Sequence, residues 1–350
     1  MLEKLASLFD HGRPRTAADK PLFVAFLDYA YMPYALGDAV TWLENAQVHA
    51  RDAGAAAIDV VLLASPERPA PVWQPHVTAY NFVASLHGIL PVFFSSPMVR
   101  NVHVLEQRQT FYDMVTDLHE QGAASWPGIG ALVEERLNFI SHLSIVEQFR
   151  RCGSIPLLNA PRGYEKQAST FIDTYCPDHF RIVINVRQSH LTAAGTNLER
   201  DSRFEPWAKF ISRTANEYPD AIFIVVGQYS DVDRAFFRLP AVVAPRSRGF
   251  GLGAELALLQ GADLFMGTSS GFAQAAFFGH PSYIVTHIEP RAAIHCGVEV
   301  GVRHHPFGRI DQVVTWKPET AEDLAEEFDT VLARKAERGD RVPVRRRRVV

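Results

Sequence analysis

Residues Gly251 to Ile284 read GLGAELALLQGADLFMGTSSGFAQAAFFGHPSYI. Ala254 to Gln260 is apolar on most sides, which predicts a buried helix. Asp263 to Met266 predicts a strand, Gly271 to Phe278 a second helix and Ser282 to Thr286 a second strand. Between the first strand and the second helix lies a turn of small residues, Gly267-Thr268-Ser269-Ser270-Gly271. Strands that alternate with helices pair in parallel through right-handed crossovers. The turn leaves backbone N–H groups unpaired at a helix start, with hydroxyls beside them, and such a place suits a phosphate. The alternative is a small-residue turn that only permits tight packing. Ligands of open α/β sheets also collect at the carboxyl ends of strands, where this turn lies.

The same alternation runs outward in both directions. Toward the N-terminus, Arg181 to Val186 and Ala221 to Val226 predict strands, Phe204 to Asn216 a helix, and Ala241 to Ala244 a short extended piece. Toward the C-terminus, Thr320 and Asp323 have the spacing of a capping box ahead of Leu324, Phe328, Val331 and Leu332, the apolar face of a last helix. A first series occupies the start of the chain. Leu22 to Leu27, Ile58 to Leu63 and Ile89 to Phe94 predict strands. Ala39, Trp42, Leu43, Ala46 and Ala50 mark a helix face, with Asp38 at the expected N-cap. Val77 to Leu86 can be helical, and residues 107 to 150 read as mostly helical with a break near Pro127 and Gly128. Cys152 to Pro177 is rich in Gly and Pro and reads as irregular, so the boundary between two lobes is expected there.

Length and composition agree with two α/β lobes. The chain has 350 residues, 47% of them hydrophobic. Its 35 basic and 39 acidic side chains leave a net charge of −4, which argues against a nucleic-acid partner. No apolar run is long enough for a transmembrane helix, and Met1 to Arg15 lacks the apolar core of a secretory signal. Leu2, Leu5, Leu8 and Phe9 have near-helical spacing. Cys152, Cys176 and Cys296 are too dispersed for a metal pair or a disulfide framework, as expected of a cytosolic chain. Arg345, Arg346, Arg347 and Arg348 form a basic tail, either solvated or in peripheral contact with an anionic membrane.

Several of these segments together resemble the GT-B-fold glycosyltransferases, in particular bacterial heptosyltransferase-like enzymes. In that family a Glu-Leu helix leads to an apolar strand, Asp-Ser-Gly, a helix and Gly-x-Pro. Here the matching residues are Glu255-Leu256, Ala262-Asp263-Leu264-Phe265, Ser269-Ser270-Gly271 and Gly279-His280-Pro281. Ser269 stands where the family usually has Asp, and Gln274 where it often has His, so the resemblance does not carry the donor's identity. The family also opens its first helix with a Gly-Asp pair, matched by Gly37-Asp38. The resemblance implies that Asp38 is the catalytic base; an inverting transfer needs one group to take the acceptor's proton, but helix capping explains an Asp here as well. Ile184-Asn185-Val186-Arg187 loosely resembles the strand-end His-x-Arg of fucosyltransferase-like GT-B enzymes, with Asn185 replacing the His. Arg187 can clamp a diphosphate, as Arg200 or Arg203 in the same loop region can, or can form a strand-end salt bridge.

The resemblance implies an α/β chain of two Rossmann-like lobes facing across a central cleft. Residues 1–160 would form the acceptor-side lobe, 161–335 the nucleotide-sugar lobe and 336–350 the basic tail. The donor would meet Arg187, Thr268, Ser269, Ser270, Gly271 and Gln274, and the acceptor would lie near Gly37 and Asp38. It implies a metal-independent inverting glycosyltransferase with no cofactor. Such an enzyme moves a sugar from a nucleotide-sugar to a glycan, lipid-linked or protein acceptor in bacterial surface polysaccharide or glycoconjugate synthesis. The expected place is the cytoplasm, or the periphery of the inner membrane.

Other readings compete. Gly267-Thr268-Ser269-Ser270-Gly271 also fits the G-x-S-x-G nucleophile elbow of serine hydrolases, with Ser269 as nucleophile. No Asp separates Ser269 from the last histidine, His305, which leaves Glu289 with His295, or Glu299 with His304, to complete a triad. Asp231-Val232-Asp233 fits a metal-binding D-x-D, or an acidic helix start after Ser230. A non-catalytic nucleotide- or sugar-binding protein of the same fold is a further alternative. Trp73, Trp126 and Trp207 can stack on sugars but more commonly pack, His87 and His142 read as buried histidines, and Glu255 as a buried, paired carboxylate.

Overall fold

A computed structural model describes residues 22–134, 141–189, 200–288, 290, 293, 297–317 and 319–346, except for the side chains of residues 133, 134 and 231. The chain divides into two compact units at Leu157/Leu158, a few residues before the expected 160/161. The N-terminal apolar spacing, Glu289, His295, Cys296, Arg347 and Arg348 lie outside the described residues.

The first unit holds a parallel sheet in the order β3-β2-β1-β4. Its strands are β1 (Phe23–Asp28), β2 (Ile58–Leu63), β3 (Val99–Leu105) and β4 (Ala124–Trp126). Every residue of β1 and β2 is buried, as expected of continuous apolar runs in a sheet covered on both faces. The helices are α1 (Leu36–Asp52), α2 (Phe82–Ile89), α3 (Arg108–Glu120), α4 (Gly130–Glu134) and α5 (His142–Cys152). Helix α1 is buried on almost every side, so its polar residues pair internally. Gln47 donates to Glu44 and accepts from Ser96, both at 2.7 Å, and Asn45 donates to the Thr41 carbonyl at 2.8 Å.

Three expectations for this unit are corrected. Residues Leu90–Ser95 form a 3-10 helix and not a strand, because Pro91 has no N–H to give to a ladder; the third strand is β3, a few residues later. The helix expected over Val77 to Leu86 is α2, displaced toward the C-terminus, and His87 on it is exposed. Within residues 107 to 150, β4 interrupts the helices and pairs with β1.

The second unit carries a six-stranded parallel sheet, β10-β9-β8-β5-β6-β7. The strands are β5 (Phe180–Asn185), β6 (Ala221–Val225), β7 (Val242–Val243), β8 (Leu264–Thr268), β9 (Ser282–Thr286) and β10 (Gln312–Val314). The helices are α6 (Glu165–Tyr175), α7 (Phe204–Glu217), α8 (Leu252–Gln260), α9 (Gly271–Phe277) and α10 (Ala321–Glu337). Counting strands within the unit, the order is 3-2-1-4-5-6, the doubly wound arrangement of dinucleotide-binding sheets. Phe210, Phe223, Phe328 and Tyr218 join α7, β6 and α10 through edge-to-face contacts with centroids 5.6–5.9 Å apart.

Helix α6 corrects the irregular stretch expected from Cys152 to Pro177: its Ala168 and Phe171 are buried, an apolar pair that neighbouring Gly and Pro obscure. Thr320 caps α10 as its spacing foretells, accepting from the Asp323 amide at 3.0 Å. The tail expected from residue 336 is shorter, since α10 runs through Glu337. Its described part is held down: Arg345 pairs with Glu217 at 2.9 Å, and the Val344 amide donates to Asp220 at 2.9 Å.

Candidate functional site

In the second sheet the strand order reverses between β5 and β8, the first and fourth strands of the unit. Helices that follow such neighbours leave on opposite faces, so the carboxyl ends of the two strands border a crevice. Asn185 at the end of β5 is level with Gly267 in β8. The close pairing needs a glycine there, because a Cβ on Gly267 would lie 2.6 Å from the Asn185 carbonyl oxygen.

The segments leaving these two strands carry the expected donor residues. From β5 the chain passes Val186 to Arg187. The guanidinium of Arg187 pairs with Asp201 at 3.0 Å, and Ser189 donates to the same carboxylate oxygen at 2.9 Å. The Ser202 amide donates to the Arg187 carbonyl at 2.7 Å, so residues 201 and 202 fold back along the arginine. The strand-end salt bridge considered for Arg187 is therefore present. Arg200 and Arg203 lie in the same segment, and Arg203 precedes α7.

From β8 the chain enters Ser269 and Ser270. Gly267 and Thr268, expected in the turn, belong to the strand, because both continue the β8–β9 ladder. Thr268 is fully buried, and Ser269 and Gln274 are nearly so. Ser270 is the N-cap of α9, its hydroxyl accepting from the Ala273 amide at 3.2 Å. The amides of Gly271 and Phe272 are those for which an α-helix has no internal acceptor. Since α9 is only 7 residues long, these amides matter more here than any helix dipole. Gly271 is half-buried, with no side chain between the backbone and whatever occupies the turn.

A polar cluster backs the neighbouring end of β6. Glu255 on α8 is buried, and burial raises its carboxyl above the usual range, while Arg246 at 2.8 Å and the Gly227 amide at 3.1 Å pull it back. Its buried, paired role matches the sequence reading. Asn185 donates to the Val226 carbonyl at 2.9 Å.

Asp38 lies in the first unit. Helix α1 begins at Leu36 with Ala35 as its N-cap, so Asp38 is the third residue of the helix and not its cap. The β1–α1 loop ends three residues earlier than the sequence suggests, with the cap at Ala35 in place of Asp38. In the first turn the half-buried Asp38 favours the helix electrostatically, one residue after Gly37.

The remaining candidates fall into place by their partners. Asp233 caps a 3-10 turn, accepting from the Ala235 amide at 2.8 Å. Among the described residues no group of three or more His, Cys, Asp or Glu could hold a metal ion. Of the histidines a hydrolase would draw on, His304 is hydrogen-bonded to the Gln312 carbonyl at 2.8 Å, and buried His305 to the Tyr283 hydroxyl at 2.9 Å. Trp126 and Trp207 are buried, whereas Trp73 is 61% exposed. No helix among the described residues is long and apolar enough to cross a membrane.

No protein-family model and no curated protein matches this chain. Solved structures do. A glycosyl transferase family 9 protein from Veillonella parvula aligns over 90% of this chain and 97% of its own, at 12% identity and a TM-score of 0.55. The ADP-heptose LPS heptosyltransferase II of E. coli aligns over 90% and 99%, at 11% identity and a TM-score of 0.52. At such low identity the likeness is one of architecture, and the chain has the α/β fold of these glycosyltransferases.

Proposed function

We propose that the protein is a glycosyltransferase that takes its sugar from a nucleotide-sugar donor. The observation that carries this reading is the register of β5 and β8, with Asn185 level with Gly267, so that the segments holding Arg187 and Ser269–Gly271 leave the same end of the sheet at its reversal, within the fold of known glycosyltransferases. A guanidinium and backbone amides are a donor set for a diphosphate. Thr268, Ser269, Ser270, Gly271 and Gln274 would form the floor of the donor site and Arg187 its clamp.

Asp38 would be the base. The acceptor hydroxyl attacks the anomeric carbon as the bond to the diphosphate oxygen breaks, its proton passes to the Asp38 carboxylate, and the configuration inverts. The negative charge left on the diphosphate is met by Arg187 and the turn amides, so this route assigns no task to a metal. The acceptor would be a glycan, lipid-linked or protein hydroxyl of a bacterial surface glycoconjugate, and the reaction cytoplasmic.

Asp38→Asn tests this division of labour. Transfer, measured as release of nucleoside diphosphate, should fall at least about 100-fold, the usual worth of a positioned base, while nucleotide affinity stays within about twofold. Unchanged turnover would remove Asp38 from the mechanism.

A further inference from the structure

The carboxyl group of Glu319 ties together both walls of the β5/β8 reversal from behind. Glu319 is buried, one residue before the cap of α10. Its Oε1 lies 2.6 Å from the Thr286 hydroxyl at the end of β9 and 3.2 Å from the Ser202 hydroxyl. Ser202 is the residue whose amide holds the Arg187 carbonyl. The Thr286 hydroxyl is also 3.2 Å from the carbonyl oxygen of Gly267 in β8. One carboxyl thus links the arginine segment on one side with the strand leading to Ser269 on the other.

We propose that Glu319 is a positioning residue for the nucleotide, and that its carboxyl group acts there as a hydrogen donor. The inference rests on the donor site proposed above. Thr286 has a single hydroxyl hydrogen and two oxygens in reach. The Gly267 carbonyl can only accept. Thr286 serves it only if Glu319 supplies the hydrogen between the two side chains, with Ser202 donating to the same carboxyl oxygen. The Thr286 and Ser202 hydroxyls are neutral partners, and burying an ionised carboxylate is costly. Burial accordingly raises this carboxyl above its ordinary range, against the opposing pull of Thr286, Trp207, Ser202 and His287. The neutral acid is the form in which the relay from Ser202 to Gly267 closes.

The experiment compares wild type with Glu319→Gln, Glu319→Ala and Thr286→Val by calorimetric titration with ADP, GDP and UDP and by thermal unfolding without ligand. For the nucleotide that wild type binds most tightly, Glu319→Gln keeps a donor for Thr286 and should bind within about threefold. Glu319→Ala and Thr286→Val should each weaken binding about tenfold or more. Their combination should add little to either, because both break one relay. In turnover the loss should appear in the KM for the donor and not in kcat. Wild-type affinity in Glu319→Ala or Thr286→Val, or a Gln variant as weak as Ala, would overturn the assignment while leaving the donor site standing. Failure of wild type to bind any nucleoside diphosphate would instead overturn the donor site, and this inference with it. If Glu319→Ala does not fold, Glu319→Gln and Thr286→Val still decide.

Discussion

The two sheets reverse strand order in the same way, and their reversal points are finished differently. In the first unit β1 ends in buried Asp28, which pairs with Arg108 from the start of α3. The next residue, Tyr29, stacks on Tyr34 with ring centroids 4.1 Å apart. At the end of β4, Trp126 packs on Trp42 and His49. Large rings and the Asp28–Arg108 ion pair fill that end. In the second unit the corresponding positions hold the smaller Asn185, Gly267, Ser269, Ser270 and Gly271, and Arg187 follows β5 two residues on. Topology makes two equivalent reversal points, and side-chain volume distinguishes the one left open by small residues from the one filled by rings.

Exchanging the partners tests this contrast. Arg108→Ala leaves Asp28 buried and unpaired, so it should cost roughly 3 kcal/mol of stability in chemical denaturation. The nucleotide affinity of the folded fraction should stay the same. A stable variant would mean that the first reversal point is not held by its ion pair. Gly267→Ala acts on the other sheet. Its Cβ meets a backbone oxygen that cannot swing away, and about 2 kcal/mol should be lost together with nucleotide affinity. Full affinity in this variant would separate the ligand from the β5/β8 reversal.

The smallest effect concerns a second buried acid, away from either crevice. Burial raises the Glu44 carboxyl well above its usual range, while Gln47 and Arg51 oppose the shift. A carboxyl raised in the folded state contributes stability that is complete below its unfolded value, about 4.3, and is lost as pH rises toward the folded value. Glu44→Gln should therefore match wild type near pH 4 and become the more stable by about 1 kcal/mol as pH climbs to 7. A gap that shrinks over that range would contradict the assignment of a neutral Glu44. Nucleotide binding should not change.

Much of the fold is legible in the sequence where burial is two-sided. Ile58–Leu63 and Ser282–Thr286 are recognisable to the residue, because a strand covered on both faces is a continuous apolar run. Strand β3 escapes the same reading because VRNVHVL mixes charge into a half-exposed strand at the sheet edge. Strands β4 and β10 have three residues each, too few for any period. Ser269, Ser270 and Arg187 are marked by position, as a small-residue turn after one strand and a cation after another. The Arg187–Asp201 pair spans only 14 residues and is within reach of sequence reasoning. Glu319 is not, since its partners Ser202 and Thr286 lie 117 and 33 residues away and only the folded sheet brings them together.

Direct titration of wild type and Arg187→Ala with ADP, GDP and UDP in the absence of divalent metal tests the central claim. The account predicts that wild type binds at least one of them. It also predicts that Arg187→Ala binds that nucleotide at least about tenfold more weakly with its unfolding midpoint little changed, the loss expected for a charge-assisted contact to phosphate. A wild type that binds none of the three, or an arginine variant with undiminished affinity, would contradict it.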